Sequence, residues 1–122
     1  TIDFSGTELI AGLFNETLSD ALPGELEMGK AFWINVDCDL YASSQQALDW
    51  VFRNALVEAG KTYIYFDDGW YYWIYGLKGQ VEAFQEVRQR YGVEATPLLT
   101  TPAAEGGVDY FFRVDSLSAS PR

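Results

Sequence analysis

A chain of 122 residues that is 48% hydrophobic and 16% aromatic carries enough apolar surface for one packed domain, which excludes a disordered chain. A formal charge of −10, with only eight Lys and Arg scattered along the chain, argues against nucleic acid and anionic membranes, whose phosphates require clustered basic residues. The lack of histidine excludes His-based triads and the usual zinc sites, and leaves acid–base or metal chemistry to carboxylates, Tyr, Lys and backbone.

A single cysteine, Cys38, permits no internal disulfide and fits a reducing compartment, so a cytoplasmic location is expected. Asp37 and Asp39 flank it and disfavour its thiolate, so it reads as a small buried residue at a strand end. No apolar run is long enough to span a bilayer, and the start of the sequence shows no basic-then-apolar leader.

Taken in chain order, Glu8 to Leu13 reads as a short strand, followed by a helical turn in FNETLSDAL that Pro23 and Gly24 break. Lys30 to Val36 is a continuous apolar run, the pattern of a strand buried on both faces. Ser43 to Ala59 is predicted as a helix. Ser43 and Gln46 fit a capping box, Leu48, Val51, Phe52, Ala55, Leu56 and Ala59 make its apolar face, and Gly60 supplies the stop. Lys61 to Phe66 is the next strand, ended by Asp67-Asp68-Gly69. A second helix is predicted from Gly79 to Tyr91, with Val81, Phe84, Val87 and Tyr91 inward and Gly92 as its stop. Glu94 to Thr100 and Val108 to Val114 form a closing antiparallel hairpin. The tail, DSLSASPR, is small and polar and is expected to fray.

This order is an α/β pattern in which the first helix is a crossover between two parallel strands. Both strands then point their C-terminal ends the same way, where ligands bind in open α/β sheets. Asp37 and Asp39 end one strand, and Asp67 and Asp68 end the other. If the strands are neighbours, these ends lie about 5 Å apart and three or four carboxylates converge, a set that repels itself and suits a hard divalent cation such as Mg2+. The plainer reading is that Asp37 merely ends its strand and that Asp67-Asp68-Gly69 is a β-turn chosen for its backbone. A second feature, GWYYWIYG at residues 69–76, offers either a wall for a ring-bearing or sugar ligand or ordinary core packing.

Together DCDLYASSQQALDWV, YIYFDDGWYYW and GQVEAFQEV, with GLFNETL upstream, resemble the macrocin O-methyltransferase family. Its members are class I, S-adenosylmethionine-dependent enzymes of macrolide and aminocoumarin antibiotic pathways. The resemblance runs from about Leu9 to Val114. It implies a Rossmann-like class I methyltransferase sheet of parallel strands with helical crossovers and a closing antiparallel hairpin. It also implies that Asp37, Asp67 and Asp68 bind Mg2+ and that Asp37 is the general base. The acceptor would be a small-molecule hydroxyl, such as that of a sugar. Asp39 and Tyr41 match motif positions and take supporting roles. Asn35 stands where relatives often carry His, and Gln80 where GE-x-x-A would supply Glu.

The Gly-rich loop that approaches the cofactor in this class is not in the sequence, so no cofactor-binding residue is assigned. The resemblance therefore implies a partial methyltransferase domain over residues 1–122, lacking the first two strands and the N-terminal cofactor-binding part. Such a piece is expected to be inactive alone and not to bind S-adenosylmethionine. In the family fold the first two strands lie between the third and the fourth, so the segment at Glu8 to Leu13 is expected to be displaced or paired in another way. An open sheet edge would favour dimerisation or aggregation. The competing expectation is a non-catalytic acidic α/β module that binds a glycan or protein through residues 69–76, independently of Mg2+ and through Trp70 and Trp73.

Overall fold

Two short apolar runs, Trp33–Val36 (β1) and Tyr63–Phe66 (β2), pair in parallel with Trp33 opposite Tyr63 and Val36 opposite Phe66. The computed structural model that shows this describes residues 5–38, 40–67, 79–102 and 108–118. Between β1 and β2 runs the crossover helix α3 (Tyr41–Arg53), preceded by two single helical turns, α1 (Phe14–Thr17) and α2 (Leu22–Glu25). Helix α4 (Gln80–Tyr91) then leads to β3 (Glu94–Pro102) and β4 (Val108–Ser116). The sheet order is β1-β2-β4-β3, with β4 antiparallel to both of its neighbours. This is a mixed, open four-stranded sheet in a small α/β domain, and the expected closing hairpin is present.

Period-2 alternation assigns the two faces of this sheet. Val36, Ile64, Phe66, Phe112 and Val114 are buried and form one core with Leu48, Val51 and Phe52 of α3 and with Phe84, Val87 and Tyr91 of α4. Both helices therefore lie on the same face. The other face presents Trp33, Tyr63, Tyr65 and Phe111, whose rings lie against one another at centroid distances of 5.1 Å (Trp33–Phe111), 5.4 Å (Tyr63–Phe111) and 5.8 Å (Trp33–Tyr65). Trp33 is 49% exposed. The continuous apolar run at β1 predicts burial on both faces, whereas the described residues bury only the helix side.

Helix α3 is shorter than its pattern predicts and is shifted toward the N-terminus. It starts at Tyr41 after Leu40, so Ser43 lies inside the first turn, and no side-chain cap bond is made. It stops at Arg53 because Ala55 takes a left-handed φ of 53°, which turns the chain back so that Leu56 and Val57 enter the core. Two contacts fix that turn: Lys30 Nζ donates to the Ala55 carbonyl at 2.6 Å, and the Asn54 amide donates to the Trp50 carbonyl at 2.9 Å. Ala31 then bridges to Val57 in parallel, extending the β1 side of the sheet.

Glu8 to Leu13 is not a strand. Among the described residues it pairs with no strand, and Leu9 and Leu13 are 75% and 64% exposed. Pro23 opens α2 rather than ending a helix, since a missing N–H is harmless in the first turn. The segment is fastened to α3 where the Trp50 indole donates to the Ser19 carbonyl at 2.7 Å and Arg53 pairs with Asp20 at 2.8 Å. Helix α4 is stopped as predicted, by Gly92 at φ 62°.

The two helices are joined by Asp49 of α3, which accepts from Arg90 at 2.6 Å, from the Tyr91 hydroxyl at 2.8 Å, and from Arg53 one turn on. Burial, and then the bond to Asp49, push the Tyr91 phenol above its ordinary value of 10.0. Stability from this group is fully present while the unfolded phenol is also protonated. It is lost as pH rises, because the unfolded chain releases its proton first. Urea unfolding followed from about pH 9 to about pH 11 should therefore show a shallower loss of stability for Tyr91→Phe than for the parent chain. Equal slopes would mean that Tyr91 is not the group responsible.

Candidate cation site

The register of β1 with β2 decides where the strand-end carboxylates stand. Val36 and Phe66 are Cα partners, so Asp37 and Asp67 are the next residues along two parallel neighbours. The Asp67 N–H continues the ladder by donating to the Val36 carbonyl at 3.3 Å. Asp37 is exposed and Asp67 is half-buried. These two of the predicted ligands are thus brought to one edge of the sheet. Asp68 and Asp39 lie outside the described residues, as do Trp70, Trp73 and the rest of 69–76. Among the described residues no group of three His, Cys, Asp or Glu side chains is placed to hold a metal ion.

The Val36 carbonyl accepts a second bond, from Gln80 Nε2 at 3.2 Å. Gln80 is the first residue of α4, is 1% exposed, and among the described residues its Oε1 has no partner. The sequence gives Gln80 no role beyond its departure from the family pattern. Its burial depends on a carbonyl 44 residues away, which no local pattern reveals. The start of α4 is itself capped: the Gly79 N–H donates to the Glu82 carboxylate at 2.9 Å.

Behind Asp37 the chain turns directly into α3. Cys38 is half-buried and its sulfur lies 3.3 Å from the buried Ser44 hydroxyl, so it is a packed residue at the strand end. Tyr41 donates its phenolic hydrogen to Glu86 of α4, and Gln45 reaches the same carboxylate at 3.3 Å. Tyr41 therefore holds the start of α3 against α4. Asn35 is exposed on β1. Along β1, a cavity of about 210 Å³ opens between the strand and α3, lined by Ile34, Val36, Asp37, Cys38, Leu48 and Val51 among others. It is mostly apolar, with the Asp37 carboxylate as its charged group.

The ends of β1 and β2 and the start of α4 meet at the Val36 carbonyl, and Asp37, Asp67 and Gln80 at that junction each carry a hard oxygen donor. That donor chemistry fits Mg2+, which takes a few carboxylates and fills its octahedron with water or substrate oxygens. No helix among the described residues is long and apolar enough to cross a membrane. Comparison of the chain with protein-family models, curated proteins and solved structures finds no match.

Proposed function

We propose that this chain is part of an Mg2+-dependent, S-adenosylmethionine-dependent O-methyltransferase acting on a hydroxyl of a sugar or natural-product substrate. The observation that carries this reading is the register that sets Asp37 beside Asp67 at the C-terminal ends of parallel neighbours. Sheet order adds support. In the classic doubly wound order the fourth strand pairs with the first, and among the described residues β1 has no partner on its outer edge. The first two strands of the family fold would pair there. The apolar-on-both-faces pattern of β1 agrees with a sheet that is covered on its second side as well.

In this reading Asp37, Asp67 and Asp68 hold the cation, which supplies Lewis acidity to the substrate hydroxyl and lowers its pKa. Asp37, exposed and one of the residues that line the apolar cavity, would accept the hydroxyl proton. The β1–β2 ladder fixes the carboxylates against each other, so their contribution is position more than reactivity. The methyl group would come from S-adenosylmethionine, to whose binding no residue of this chain is assigned.

The test is a calorimetric Mg2+ titration of the parent chain and of the variant with Asp37, Asp67 and Asp68 all changed to Asn. The parent should give a weak saturable isotherm, and the variant should bind at least about tenfold more weakly. An unaltered isotherm would overturn the metal reading. Glycan binding that ignores Mg2+ and disappears on changing Trp70 and Trp73 to Ala would favour the non-catalytic module instead.

A further inference from the structure

Gln80 is a primary amide sealed from solvent, and its oxygen has no hydrogen-bond partner among the described residues. Its amide nitrogen donates to the Val36 carbonyl at 3.2 Å, and that carbonyl also accepts the Asp67 N–H at 3.3 Å. The orientation of the amide is therefore fixed, because exchanging its nitrogen and oxygen would set two acceptors against each other. Oε1 must face away from the carbonyl, and among the described residues no donor reaches it. Buried acceptors left in this state are uncommon and costly, and an apolar side chain of similar length would avoid the cost. The position of the atom suggests what answers it. The carbonyl that anchors Gln80 belongs to the residue before Asp37 and is bonded to the backbone of Asp67.

We propose that Gln80 Oε1 is a neutral oxygen ligand of the cation held by Asp37 and Asp67, a role that rests on the cation reading above. Charge explains why an amide suits the position. A further carboxylate buried at the Gln80 position would bear a full desolvation penalty and add negative charge beside Asp37 and Asp67. An amide oxygen adds a ligand without adding charge, and amide carbonyls are ordinary ligands for hard cations. The partial positive charge at the start of α4 would oppose a cation, but the Glu82 carboxylate on the Gly79 N–H offsets it.

The experiment uses the full chain and its Gln80→Leu, Gln80→Glu and Asp37→Asn variants. Mg2+ affinity is measured by calorimetry, and melting temperature is measured in chelator and in saturating Mg2+. Gln80→Leu should weaken Mg2+ binding about tenfold while still unfolding cooperatively. Gln80→Glu keeps the shape and guards against a leucine variant that fails to fold. It should melt below the parent in chelator and gain more from Mg2+ than the parent does, because the added carboxylate is neutralised only by the cation. A Gln80→Glu variant that gains no more from Mg2+ than the parent, with Asp37→Asn still losing the metal, would overturn the role of Gln80 and leave the cation reading standing. In that case a bridging water is what Oε1 accepts from. A parent chain that binds neither Mg2+ nor Mn2+ would overturn both.

Discussion

Phe84→Ala should cost about 3–5 kcal/mol of unfolding free energy, a large share of the 5–15 kcal/mol typical of a domain. The ring is fully buried at the centre of the helix–sheet interface. Its centroid is 5.2 Å from that of Phe66 on β2 and 5.0 Å from that of Phe112 on β4, and Arg88 covers its outer side at 5.6 Å. Its removal takes away the ring's transfer energy and leaves a cavity between two strands and a helix. Collapse is restricted because Phe66 and Phe112 also contact each other, at 6.0 Å, and are held by the β2–β4 ladder. Urea denaturation should show a lower midpoint with an unchanged m-value, and Phe84→Leu should fall between the two. A loss under about 1 kcal/mol would show that the ring is not central to the core.

Asp49→Ala should cost about 2 kcal/mol, less than a fully buried ion pair would. Asp49 is the one residue of α3 that receives both Arg90 and Tyr91 of α4 while also receiving Arg53 from its own helix. Its side chain is only 17% exposed, so its bonds are partly shielded from water. The two arginine side chains are 43% exposed and can return to solvent when their acceptor is removed, which limits the loss. The Tyr91 hydroxyl is less free to do so. A double-mutant cycle pairing Asp49→Ala with Tyr91→Phe should therefore return a coupling of about 0.5–1.5 kcal/mol. Additive losses would show that the Asp49–Tyr91 bond contributes nothing to holding the two helices together.

Much of this fold is legible where backbone chemistry and apolar period agree. Helix α4 is such a case, with inward Phe84, Val87 and Tyr91 and a left-handed Gly92 at its end. The strands β1 and β2 and the closing hairpin are others. The end of α3 is not legible, because the chain is turned by Ala55 at φ 53°, a residue type that seldom takes that conformation, while the apparent stop, Gly60, lies five residues on. Glu8 to Leu13 has a strand's composition, but it pairs with none of the described strands, and composition does not report pairing. At the candidate site, Asp37 and Asp67 could be placed from strand ends alone. Gln80 could not, since a polar residue in the first turn of a helix is ordinarily solvated, whereas this one is buried against a carbonyl distant in sequence.

The Val36 carbonyl receives one donor from 31 residues along the chain and another from 44 residues along. Both arrive only after long segments have been closed into loops, at an entropic cost that local contacts do not repay. The helices can therefore be substantially formed while this joint is still open. If the proposed cation site is correct, Mg2+ affinity should then be acquired late in refolding, after the recovery of helical signal, so that metal binding would report the completion of the fold.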